Sequence, residues 1–196
     1  MNTIKFLPFV GENYSKGGIF GKRIMVLGDS HYCANESDAI PTLTQDVIKC
    51  YLDPLSENEN WMQTYRKFER SLVGHETTKR ESVDIWQSLL FYNYLQIPLC
   101  GPRVAGTKEQ YADSSSPFYE ILAKYSPEII IVWGKRLWEN LPSQNWIDAT
   151  NAIFDNYAIE NGHYAIHGNN IMAFCIYHPS VGYSWDWWYK VMHKFI

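Results

Sequence analysis

Apolar residues in this chain follow two rhythms: short unbroken runs, and stripes spaced three or four apart. Arg23-Ile-Met-Val-Leu27 is an unbroken run closed by Gly28, which predicts a strand buried on both faces. Glu128-Ile-Ile-Ile-Val-Trp133, bracketed by Pro127 and Gly134, is the clearest strand. Ile171–Tyr177 is the last apolar strand, closed by His178-Pro179-Ser180, and Phe91–Leu95 reads as extended. The striped segments predict helices. Leu43, Val47, Ile48, Tyr51 and Leu52 share one face behind Thr42-Leu-Thr-Gln45, which has capping-box spacing, and Asp53-Pro54 ends that helix. Trp61, Tyr65, Phe68 and Leu72 mark a second helix, stopped by Gly74; Val83, Trp86, Leu89 and Leu90 mark a third. Ser116-Pro117 reads as cap and first turn of a fourth, with Phe118, Ile121, Leu122 and Tyr125 on its face. A short helix follows over Lys135–Leu141, and a Trp-rich helix follows the last strand.

Between these elements, residues 1–20 read as an irregular arm broken by Gly11, Gly17 and Gly18. Residues 97–116, with Pro98, Gly101, Pro102, Gly106 and a serine run, read as an ordered loop. Residues 150–168 suit either a strand pair or irregular chain. Alternating strands and helices predict one α/β domain: a three-layer α/β/α arrangement around a parallel sheet of about four strands. Ligands in such sheets bind outside the carboxyl ends of the strands. Three of those ends carry residues capable of chemistry: Gly28-Asp-Ser-His-Tyr32, Asn93 and His178.

Composition sharpens this picture in three ways. A length of 196 residues suits a single core. Aromatic residues reach 16%, with 8 Trp and 14 Tyr, a surplus that implies rings lining a pocket or a contact surface. A net charge of -4 argues against coating nucleic acid by charge alone, though it leaves room for a local basic groove. Cys33, Cys50, Cys100 and Cys175 have no C-x-x-C spacing, so no zinc knuckle or redox motif is written here. The first residues lack the apolar stretch of a signal peptide, and no run approaches the roughly 20 apolar residues that span a bilayer. Reduced thiols in a cytoplasmic protein, without a membrane partner, are the expectation.

Four segments occur in a telling order: VLGDSHY at 26–32, SLLFYNYLQ at 88–96, PEIIIVWGKRLWENLP at 127–142 and IYHPS at 176–180. In this the chain resembles the uracil-DNA glycosylase superfamily, over residues 22–195. No one segment is specific; their order and shared position at strand ends carry the likeness. The resemblance implies a hydrolase of DNA repair that flips a damaged base from single- or double-stranded DNA into a pocket and cuts its N-glycosidic bond. Asn93 then reads the base edge, because an amide both donates and accepts. His178 matches the family's histidine, a neutral donor to the carbonyl oxygen on which charge builds. The carboxylate that positions the attacking water directly follows the glycine in one branch, which is Asp29 here. In the best-known branch it stands one residue later, at Ser30. Asp29 is taken as the acid.

Gly28, Ser30, His31, Tyr32 and Ser180 are expected around the substrate. His31 replaces the family's proline, and Tyr32 falls where one branch blocks bulkier pyrimidines. The best-known branch inserts a leucine wedge after the last motif; here Val181-Gly182-Tyr183 stands there, leaving Tyr183 or Trp185 to stack. The spacing of the iron–sulfur branches' cysteines is missing, so no cofactor is expected, and a monomer is.

Each residue has a plainer reading as well. Asp29 could cap its loop, His178 could be a satisfied strand-end residue, and Asn93 could stabilise a turn. Trp185, Trp187 and Trp188 suit a terminal helix's core and rim. Lys135 and Arg136 stand where a phosphate could bind or where ordinary surface lies, and His163 and His167 have the spacing of a metal pair but non-helical surroundings. Other functions compete: an SGNH-type esterase with Ser30 as nucleophile, which lacks its Asp two residues before a histidine; a metallophosphoesterase, whose further blocks are missing; and a non-catalytic member of the glycosylase fold that binds nucleic acid or a nucleotide.

Overall fold

A computed structural model describes residues 4–101, 104–180 and 182–196. Pro102 and Val181, and the first three residues of the N-terminal arm, lie outside the described residues. The strands are β1 (Phe9–Val10), β2 (Ile24–Gly28), β3 (Leu89–Asn93), β4 (Ile129–Trp133), β5 (Trp146–Phe154), β6 (Tyr157–Ile166) and β7 (Asn169–Ile176). The helices are α1 (Leu43–Leu52), α2 (Met62–Val73), α3 (Lys79–Trp86), α4 (Lys108–Asp113), α5 (Ser115–Tyr125), α6 (Lys135–Trp138) and α7 (Trp185–Met192).

The strands form one seven-stranded mixed sheet in the order β1-β3-β2-β4-β7-β6-β5. Strand β2 pairs parallel with β3 and β4, and β4 pairs parallel with β7. Every residue of β2, β3 and β4 is buried. Alternation then sends their side chains to two separate apolar clusters. Ile24, Val26, Phe91, Ile131, Trp133 and Phe174 pack with α1, α2, α3 and α7, through Ile48, Phe68, Trp86 and Trp188. Met25, Leu27, Tyr92, Val132 and Ala173 pack with α4, α5 and α6, through Tyr111, Phe118, Ile121 and Leu137.

The sheet is wider than the expected four strands. On one edge, β1 in the arm read as irregular pairs antiparallel with β3. On the other, β5 and β6 form a hairpin that pairs antiparallel with β7. Its turn residues Asp155 and Asn156 both have positive φ (45° and 66°), the conformation of tight hairpin turns that Asn and Asp tolerate. A register shift between Ile147 and Thr150 bends the outermost strand.

Three local expectations shift. Leu89 and Leu90 begin β3 instead of ending α3, since Ser88 already leaves the helix. The 97–116 loop contains α4, and the next helix is capped at Ser114, so Pro117 falls inside its first turn. Thr42 precedes α1 but makes no capping bond to the backbone. Its φ and ψ are already helical (-85°, 0°), which turns the hydroxyl away from the free amides and onto Asp46 at 2.6 Å. Thr78 and Thr107, extended at ψ 162° and 163°, close full capping boxes with Glu81 and Gln110. Among the described residues, no helix is long and apolar enough to cross a membrane.

Candidate functional site

The run Gly28–Tyr32 leaves the carboxyl end of β2 and is laced to the segment after β3. Tyr94 N–H donates to Gly28 O, Leu95 N–H to Asp29 O and Leu99 N–H to His31 O, all at 2.8–2.9 Å. Gly28 pairs with Asn93 across the two strands, and a Cβ at Gly28 would run into Asn93 Oδ1. The glycine is therefore what lets the Asn93 amide lie over the end of β2.

Asn93 is buried, and its amide is held by His31. Asn93 Nδ2 lies 3.1 Å from His31 Nε2, which is also 2.8 Å from Thr44 Oγ1 of α1. Asn93 Nδ2 is also 3.4 Å from His31 Nδ1, and an amide nitrogen can only donate, so one ring nitrogen accepts and the ring is neutral. Burial agrees, lowering the His31 pKa to about 4. Phe6 packs edge-on against the same ring. His31 thus lies behind Asn93 as its support, enclosed and not at the surface.

Asp29 is nearly enclosed and tightly partnered. Its Oδ1 accepts from Tyr111 Oη at 2.9 Å, and its Oδ2 accepts from Arg136 Nε and Nη2 at 2.8 and 2.5 Å. Arg136 follows the end of β4 and keeps about a third of its side chain exposed. A carboxylate has about four lone-pair positions, so Oδ1 keeps one for a further donor. Beside it, Ser30 Oγ is enclosed and has no hydrogen-bond partner among the described residues. An esterase nucleophile needs a histidine base on that oxygen, and none bonds to it. Tyr32 is 48% exposed, at the outer edge of the run.

His178 follows β7. Its Nδ1 lies 3.0 Å from Ser180 Oγ, and its ring packs edge-on against Trp133. The residue is exposed at the surface, yet the protein around it removes enough hydration to lower its pKa. Asp29 opposes that shift and Arg136 adds to it, so the three groups share one electrostatic neighbourhood. Lys67 Nζ donates to Ser180 O and ties this turn to α2.

The structure thus brings Gly28, Asp29, Ser30, Asn93, His178 and Ser180 to one end of the sheet. Tyr183 is a correction. Its ring is buried, stacked on Trp188, with its hydroxyl 2.8 Å from Ser71 Oγ. A ring enclosed in this way has no free face to stack on a base. Trp185 is half-buried and packs against the same core. Lys135 and Arg136 are both paired with carboxylates, Glu160 and Asp29. His163 lies in β6 and His167 in the turn after it, and the described residues hold no group of three or more side chains suited to a metal.

Sequence reasoning missed Tyr111 and Thr44, and read Arg136 as a phosphate contact or ordinary surface, not as the partner of Asp29. The signal for Arg136 was its position just past the end of a buried strand. The signal for Tyr111 was the Thr107–Gln110 capping box that begins its helix. No protein-family model matches this chain, and no curated protein matches it either.

Proposed function

We propose that this chain is a DNA glycosylase-like hydrolase of the uracil-DNA glycosylase superfamily, acting on uracil or a related damaged base. The observation that carries the proposal is the placement of Asp29, Asn93 and a neutral His178 at the carboxyl ends of the parallel strands β2, β3 and β7. Four such strands, β3-β2-β4-β7, with helices against both faces, support a three-layer core of that family's kind. A monomer in the cytoplasm, acting on DNA without a cofactor, is part of the same proposal.

The chemistry follows from what each group offers. The bond between sugar C1′ and the base nitrogen breaks, and its electron pair goes to the base. The Asn93 amide, fixed by His31, presents a donor and an acceptor to the base edge. When Ser180 donates to His178 Nδ1, Nε2 keeps its proton and offers a neutral donor to the base oxygen that gains charge. The Asp29 charge offsets the cationic sugar, and its remaining lone pair on Oδ1 orients the water that adds to C1′ and takes the proton that water loses, while the base leaves as an anion.

One observation favours a second reading, a non-catalytic nucleotide or nucleic-acid binder. Asp29 is held by Arg136 and Tyr111, and on this reading it serves to orient Arg136 alone. Base release from oligonucleotides carrying uracil, hypoxanthine, xanthine or hydroxymethyluracil, single- and double-stranded, separates the two. The glycosylase reading expects release by wild type and a fall of about 100-fold or more in His178→Ala and Asp29→Asn. No release from any substrate, with oligonucleotide binding retained, would leave the binder.

A further inference from the structure

A cavity of about 350 Å³ lies beside the strand-end groups but is lined by none of Asp29, Asn93 or His178. It opens where the β5–β6 hairpin meets the end of β7 and helix α7, and its size suits a small organic ligand. Tyr157, Tyr177 and Trp188 wall it, Ile159 and Cys175 contribute apolar lining, and the Lys135–Glu160 ion pair (3.3 Å) marks one side.

Two features select the kind of ligand. The first is the angle between the rings. Tyr157 and Tyr177 stand at 81° with centroids 5.9 Å apart, and Tyr177 and Trp188 at 59° and 5.5 Å. Walls set so steeply cannot all lie flat on one planar ring, whereas a compact rounded group meets each of them. The π faces of such rings attract positive charge. Tyr157 and Tyr177 keep 46% and 37% of their surface exposed, so a ligand can reach them.

The second feature is charge. Glu160 lines the cavity, and Lys135 engages its Oε2 at 3.3 Å. Its Oε1 has no partner among the described residues, which leaves a carboxylate oxygen at the wall for a cation. The Cys175 thiol is pushed up to about 12 by burial and then by Glu160, so it stays protonated and adds no charge.

The geometry points to a binding site for a small methylated or quaternary ammonium ion, held against Tyr157, Tyr177 and Trp188 with Glu160 as its counter-charge. This site stands independently of the glycosylase reading. Its chemistry fits a free quaternary amine or a trimethylated lysine side chain, and the probes distinguish the two. Choline, tetramethylammonium, a short trimethyllysine peptide and 3,3-dimethylbutan-1-ol, the uncharged counterpart of choline, are titrated into the full chain by calorimetry. Saturable binding of the cations is expected, roughly tenfold or more tighter than the uncharged alcohol. Glu160→Gln and Tyr157→Leu should each weaken it by a similar factor, and His178→Ala should leave it unchanged. Tighter binding of the peptide than of choline supports the site with a protein source, and the reverse supports it with a free amine. Equal binding of the alcohol, or no saturable binding of any cation, overturns the proposal.

Discussion

Two enclosed carboxylates organise this protein, and they do so in opposite ways. Glu69 of α2 is fully buried and accepts four hydrogen bonds from neutral groups. Tyr51 Oη and Trp86 Nε1 reach its Oε1, and Thr77 Oγ1 and Ser82 Oγ reach its Oε2, all at 2.7–2.8 Å. Every position of that carboxylate is used, and it joins α1, α2 and α3. Asp29 accepts three bonds, two of them from a cation that reaches solvent, and keeps one position open. A carboxylate saturated by neutral donors is a fastener for packing. One left a donor short, beside an arginine and a neutral histidine, retains the capacity for chemistry.

The largest expected effect tests the fastener. Glu69→Ala strands four donors in the core and should lower stability by roughly 3–5 kcal/mol in urea unfolding. A loss below about 1 kcal/mol would remove the distinction between the two carboxylates.

The next effect tests the support behind Asn93. His31 has a folded pKa of about 4, below the 6.5 of an unperturbed histidine. Between those values the unfolded chain binds more protons, so stability rises with pH. The penalty is absent above pH 6.5 and complete below pH 4, and it amounts to about 3 kcal/mol at most. Unfolding measured at pH 7.5 and 4.5 should reveal it, and His31→Gln should flatten the slope. A slope that survives the substitution would place its origin elsewhere.

The smallest effects sharpen the Asp29 side. Asp29→Asn should cost only about 1–2 kcal/mol, because Arg136 can turn to solvent, while base release falls as proposed above. Tyr111→Phe removes one hydrogen bond, worth about 1 kcal/mol, and should change activity by no more than a few-fold. An Asp29→Asn loss as large as that of Glu69→Ala, with activity intact, would make both carboxylates fasteners.

Helix faces were legible in the chain because they depend on neighbours three and four residues away, as in Trp61, Tyr65, Phe68 and Leu72 before Gly74. The buried strands were legible as unbroken apolar runs. Capping shows where local pattern stops being enough: Thr42-x-x-Gln45, Thr78-x-x-Glu81 and Thr107-x-x-Gln110 share one spacing, and only the two with extended caps close. The candidate site divides in the same way. Asp29, Asn93 and His178 could be singled out because each ends an apolar segment. That Arg136 and Tyr111 pair with Asp29 could not be read, since they lie 107 and 82 residues from it.

What the sequence determined by itself was local: which segments are strands or helices, and which polar residues stand at the strand ends. Tertiary structure decided the rest. It made the sheet seven strands wide, joined Glu69 to its four donors, set Arg136 on Asp29 and His31 behind Asn93, and drew Tyr183 into the core. The physical reason is that backbone periodicity is set by adjacent residues, whereas the partner of a buried polar group depends on which distant elements the sheet order brings together.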